Sequence, residues 1–176
     1  KDILDKYKAK GVNKIIRVMV AGIPNVGKST FINMLAGGKK AKTGDKPGVT
    51  RATQWIRLAE YIDLLDTPGL LWPKLEDQTG ARHLAYIGSI NDEILDLKEL
   101  LAEFIREIIN IKPDALSQRY GIDAGQCSCL SEIIDALCRR RGFVKSGEYD
   151  YERAAITVLD EFRAGKLGRI TLERPV

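Results

Sequence analysis

Gly22-Ile23-Pro24-Asn25-Val26-Gly27-Lys28-Ser29 fits Gly-x-x-x-x-Gly-Lys-Ser/Thr, the spacing of a phosphate-binding P-loop. The chemistry follows from the residue types. Glycines let consecutive backbone N–H groups curl around phosphate oxygens, and the helix that follows aims its positive end at them. Lys28 has the reach to meet the β- and γ-phosphates, and the Ser29 hydroxyl is a ligand for Mg²⁺. Candidate nucleotide-binding residues are therefore Asn25, Val26, Gly27, Lys28, Ser29 and Thr30.

A second signal, Asp66-Thr67-Pro68-Gly69, ends an apolar strand about forty residues on. Such an aspartate holds Mg²⁺ through water, and the glycine N–H meets a γ-phosphate. By itself the string also reads as a Pro-Gly turn. Between the two lies Pro47-Gly48-Val49-Thr50. A threonine in a loop at this place ligates Mg²⁺ when a γ-phosphate is present, with Thr53 as a weaker rival; the alternative is a type II turn. The candidate catalytic set is Lys28, Thr50 and Gly69, and the candidate Mg²⁺ ligands are Ser29, Thr50 and Asp66.

These side chains need a scaffold. Ile15–Ala21 is an almost unbroken β-branched and apolar run, the pattern of a central strand buried on both faces. A helix over 28–35 is expected after the loop, closed by Gly37–Gly38. Residues 53–58 and 61–65 read as a hairpin meeting at Ala59–Glu60. Residues 1–10 carry a short helical pattern. From Leu75 the periodicity is helical, with candidate helices at 76–88, 96–110, 114–120, 129–141 and 150–164 and a short extended tail at 169–173. The fold class expected is α/β, a P-loop sheet over 1–95, followed by an all-helical domain over 96–176.

Composition narrows the options. The 176 residues carry 28 Lys+Arg and 24 Asp+Glu, and 44% are hydrophobic. This excludes collagen, low-complexity disorder and a disulfide scaffold. The most apolar run, 15–23, is broken by Arg17 and is too short to cross a membrane. The charged first ten residues carry no secretory signal pattern. The surplus of +4 sits in residues 1–97, which permits a nucleic-acid partner without requiring one. Cys127, Cys129 and Cys138 read as free thiols, since three sulfurs and one distant histidine, His83, make a poor zinc set.

The three motifs in this order resemble a translation-factor-type GTPase. The stretches 22–35, 47–55, 65–73 and 163–175 resemble the circularly permuted ribosome biogenesis GTPases of the A (YlqF) type in particular. That resemblance covers nearly the whole chain, with residues 110–150 matching loosely. It implies GTP and GDP as ligands with Mg²⁺, hydrolysis stimulated by the ribosomal particle, and the large-subunit precursor and its rRNA as partners. A cytoplasmic monomer is the expectation, or an organelle-matrix one if a preceding segment carries a targeting signal.

The guanine-reading Asn/Thr-Lys-x-Asp is missing. Asn13-Lys14-Ile15-Ile16 lacks the aspartate, and Ile111-Lys112-Pro113-Asp114 has isoleucine where Asn or Thr belongs. In the permuted family the base-reading half precedes the P-loop, so the resemblance implies that this portion is absent from the chain. Leu70 stands where many GTPases carry a water-orienting glutamine, which leads us to expect slow intrinsic hydrolysis. Asn25 resembles the asparagine of potassium-activated GTPases, implying a K⁺ beside the phosphates; the plainer reading is a polar loop residue. His83, on a helix, is more simply a packing residue than a base.

The run Arg139-Arg140-Arg141 with Lys145, joined by Lys166 and Arg169, suits phosphate neutralisation, and also suits a solvated helix end. Family resemblance implies rRNA contact for this group. Two other readings stay open: an RNA- or ribosome-binding module with a degenerate pocket, and an ATPase, since a P-loop does not choose a base.

Overall fold

The computed structural model describes residues 5–7, 9–11, 14–41, 52–71, 77–91 and 95–173. The chain forms two compact units that divide between Lys74 and Leu75. The composition places the boundary at 95/96 instead. The physical reason for the difference is the first helix of the second unit, which buries Ala85 and Tyr86 in the helical core.

The first unit is built on three strands, β1 (Ile16–Val20), β2 (Gln54–Ala59) and β3 (Ile62–Asp66), and one helix, α1 (Lys28–Leu35). Their order in the sheet is β1-β3-β2, with β1 parallel and β2 antiparallel to β3. The expected hairpin is β2–β3, with a register irregularity between Arg57 and Ala59. Alternation along β2 buries Ile56 and exposes Trp55 and Arg57, the period of two that a one-sided sheet requires. Ile32 of α1 packs with Ile56, Leu64 and Ala41 in a small core, against which Val20 and Leu58 lie. α1 ends where expected, with Gly37 in the left-handed region at φ 66.

One expectation fails. β1 is not a central strand buried on both faces: it has a single partner among the described strands, and Val18 and Met19 are 44% and 64% exposed. Its apolar sequence anticipates a burial that the described residues do not supply. Trp55 is likewise an exposed residue rather than a packed one, with Arg17 lying over its ring at 5.4 Å.

The second unit is helical: α2 (Gln78–Tyr86), α3 (Leu97–Ile111), α4 (Ala115–Tyr120), α5 (Leu130–Arg141) and α6 (Tyr151–Arg163). Three starts are set by aspartates that accept backbone N–H bonds: Asp77 from Thr79 and Gly80, Asp96 from Glu99, and Asp150 from Arg153. Each satisfies donors that the first helical turn leaves without partners. The amphipathic α3 is fully enclosed at Leu101, Phe104, Ile105 and Ile108, against Leu137 of α5 and Val158 and Leu159 of α6. Two short strands, β4 (Val144–Lys145) and β5 (Glu148–Tyr149), form a hairpin between α5 and α6. Its turn puts Ser146 and Gly147 at φ 53 and 88, the paired positive values of a tight hairpin. This hairpin was not expected from the sequence. No strand forms over 169–173; Ile170 and Leu172 pack on the helical core instead.

Candidate functional site

The loop between β1 and α1 has the backbone that phosphate binding requires. Asn25 and Gly27 both adopt positive φ, 59 and 87, which turns successive N–H groups inward. Gly27 caps α1 without a side-chain hydrogen bond, so its first-turn donors are left to other partners. Lys28 folds back over the loop, its Nζ donating to the carbonyls of Gly22 at 3.1 Å and Ile23 at 2.7 Å. Burial lowers the Lys28 pKa, while the neighbouring Asp66 charge acts the other way.

The Asp66–Gly69 segment is locked against this loop. Thr67 Oγ1 donates to the carbonyl of Val20 at 2.7 Å, and the Leu70 N–H donates to the carbonyl of Gly22 at 3.2 Å. Gly69 passes so close to Pro24 that a Cβ there would lie 2.5 Å from its Cα. The glycine is required by this approach as much as by any ligand. Asp66 is fully buried at the end of β3, in register with Val20 of β1 and Gln54 of β2. Its Oδ2 takes a long hydrogen bond, 3.5 Å, from Gln54 Nε2, while Oδ1 is buried with no partner.

An orphaned buried carboxylate oxygen costs free energy unless a ligand satisfies it. The candidate ligands Asp66 and Ser29 are both oxygen donors, the kind of set that a hydrated Mg²⁺ takes.

The structure thus brings Lys28 near Asp66 and seats Gly69 and Leu70 against Pro24 and Gly22, while Asn25, Val26, Gly27, Ser29 and Thr30 follow on the same loop and the first turn of α1. Thr50 and the Pro47-Gly48 turn lie outside the described residues, as do Lys42, Trp72 and Pro73. Sequence reasoning missed Asn33. Its side chain accepts the N–H groups of Lys40 and Ala41 and donates to the Ala41 carbonyl, all within 2.8 Å. It thereby fixes Lys40 and Ala41, the backbone that follows α1. No motif flags this asparagine; its three bonds appear only once the chain has turned.

The other candidates lie in the helical unit. His83 is a packing residue: Nε2 meets Glu107 at 2.7 Å and Nδ1 meets Glu173 at 2.9 Å. Burial alone would lower its pKa, but these two hydrogen bonds outweigh it and the pKa is raised. Arg141 is held by buried Glu161, which also takes Arg119 and the Tyr120 hydroxyl. Arg139 donates to the Tyr149 hydroxyl at 3.3 Å. Lys145, Lys166 and Arg169 are exposed, as is Arg140, whose guanidinium lies against Gly121. Asp114, in the string once compared with the base-reading motif, is the residue at which α4 begins.

A family model described as 50S ribosome-binding GTPase matches residues 17–118. The chain is 46% identical to ribosome biogenesis GTPase A of Priestia megaterium, covering 97% of this chain and 60% of that protein. The corresponding Bacillus cereus protein is 45% identical over 99% of this chain and 60% of its own length. Among solved structures, GNP-bound YlqF from Thermotoga maritima superposes with a TM-score of 0.62 at 31% identity, covering 97% of this chain and 64% of that one. The chain therefore spans about 60% of the length of the curated relatives it matches. With a family model matching more than half of its length and relatives above 30% identity, the chain belongs to the 50S ribosome-binding GTPase family.

Proposed function

We propose that the protein binds and hydrolyses GTP as an assembly factor for the large ribosomal subunit, with the ribosomal particle stimulating hydrolysis. One observation carries the nucleotide part: the buried Asp66, with Oδ1 unpartnered among the described residues, beside a loop whose lysine donates to the loop's own carbonyls. On this reading Lys28 leaves Gly22 and Ile23 for the phosphates. The amides of 25–30 receive the phosphate oxygens, and the Gly69 N–H meets the γ-phosphate. Ser29 and Asp66, with Thr50 from the preceding loop, would hold Mg²⁺, which supplies charge neutralisation on the β- and γ-oxygens. Asn25 is the residue that would face K⁺.

Leu70, 71% exposed, has no group that can orient water, so the free protein turns over slowly and the particle supplies or orders the missing element. The base-reading residues lie outside this stretch of sequence. The exposed Arg140, Lys145, Lys166 and Arg169 are the side chains offered to rRNA, whereas Arg139 and Arg141 also serve internal bonds.

The test is displacement of a fluorescent GDP analogue from the whole protein by GTP and by ATP, followed by hydrolysis with and without large subunits in KCl and NaCl. Selective displacement by GTP, subunit-stimulated hydrolysis and a faster rate in KCl are expected. Lys28→Ala should weaken binding by at least about 100-fold, the worth of two charge-assisted hydrogen bonds. Equal displacement by ATP would overturn guanine selectivity. Nucleotide-independent binding to the particle would instead favour a ribosome-binding module with an inert pocket.

A further inference from the structure

Asp66 is placed by the fold, but its carboxylate must also be turned. Rotation about its side chain would exchange the two oxygens, and nothing in the backbone of β3 forbids it. Gln54 stands directly opposite in the antiparallel register, as the first residue of β2. Its amide nitrogen is the hydrogen-bond donor that Asp66 Oδ2 meets, at 3.5 Å. The other oxygen is buried and unpartnered. The side chain is therefore split into a tethered half and an open half.

We infer that Gln54 is a positioning residue for the nucleotide site: by engaging Oδ2 it holds the Asp66 carboxylate with Oδ1 presented to the hydrated Mg²⁺ of a bound nucleotide. The inference rests on the nucleotide reading given above. An amide suits the task because it donates without adding charge. A carboxylate at 54 would repel Asp66, and a lysine would neutralise it and compete with the cation.

Release of a fluorescent GDP analogue from the whole protein, measured as Mg²⁺ is titrated in, tests this for wild type, Gln54→Met and Asp66→Asn. Methionine keeps the length and apolar stem of glutamine and removes the amide, the donor to Asp66 with it. Without Mg²⁺ the Gln54→Met and wild-type release rates should agree. With Mg²⁺ the methionine variant should need about five-fold more cation for half-maximal slowing, the worth of one hydrogen bond of ordinary strength, as suits its length of 3.5 Å. Asp66→Asn should respond weakly to Mg²⁺ at any concentration.

A wild-type Mg²⁺ response in Gln54→Met, with Asp66→Asn impaired, overturns the role of Gln54 alone. A wild-type response in both variants, or no nucleotide binding by the wild type, overturns the reading of the site and the inference with it. Faster release from Gln54→Met with and without Mg²⁺ alike, with a lowered melting temperature, would mean a merely structural residue.

Discussion

Gly69 separates two reasons for which a residue is fixed. The motif marks it for its N–H, but the contact that decides its identity is with Pro24, where an added Cβ would meet backbone and ring atoms at 2.5 to 2.8 Å. Backbone cannot move aside as a flexible side chain can, so Gly69→Ala should cost about 1–3 kcal/mol in overpacking. It should also disturb the bond between the Leu70 N–H and Gly22. We expect weakened nucleotide binding in a titration with the fluorescent GDP analogue, in a variant that still folds its helical unit by circular dichroism. Residues like Gly69, Lys28 and Asp66 are legible in sequence because phosphate chemistry restricts both type and spacing. Gln54 and Asn33 are not. Each acts through a partner that is remote along the chain, Asp66 for one and Ala41 for the other, and a polar residue at a strand or helix position carries no mark of what it will face.

Elements were legible where local rules agree with the final packing. Asp77, Asp96 and Asp150 announce three helices, and the apolar stripe of α3 is the one that becomes enclosed. The β4–β5 hairpin escaped because four strand residues give no periodicity to read. In the basic run at the end of α5 the sequence does not say which charge already has a counter-ion, and for Arg141 the structure supplies one. Glu161 of α6, 5% exposed, receives Arg119 and Tyr120 from α4 and Arg141 from α5. The Arg119 hydrogen bond is the largest influence that depresses its pKa, to about 2. A carboxyl whose folded pKa lies below its unfolded value stabilises the fold above the unfolded value, near 4.5, and loses that contribution as pH falls toward 2. Glu161→Gln should therefore destabilise by about 2–3 kcal/mol at pH 7, less than a fully buried pair because both arginines are partly exposed. In urea unfolding, the gap between wild type and variant should close as pH drops from 4.5 toward 2.

At the scale of the whole molecule, burial is divided unequally. Among the described residues, four buried side chains make the core of the first unit, whereas the helical core encloses Tyr86, Phe104, Leu101, Ile105, Ile108, Leu137, Val158 and Leu159 among others. Amide exchange should follow that difference, since local opening is cheapest where few apolar contacts are lost. We expect the slowest exchange in α3 and α6, and faster exchange in β1, whose exposed Val18 and Met19 contribute little burial; uniform protection across the two units would contradict it. The division between Lys74 and Leu75 has a related basis. Composition averages over a window, but α2 joins the helical side through a few residues, Ala85 and Tyr86, and through Arg163, which donates to the carbonyls of both.

In polymer terms, the pair of bonds at His83 is a ring closure. The chain leaves α2, passes through every helix of its unit and returns at Glu173 to the same imidazole, ninety residues later. Closing so long a loop is entropically costly once, and afterwards its two ends hold each other. A backbone cut at the exposed Ser146–Gly147 tip would then leave two pieces that remain threaded through one core and fastened at one histidine. The helical unit has the topology of a protein that can be divided in two and reassembled from its halves.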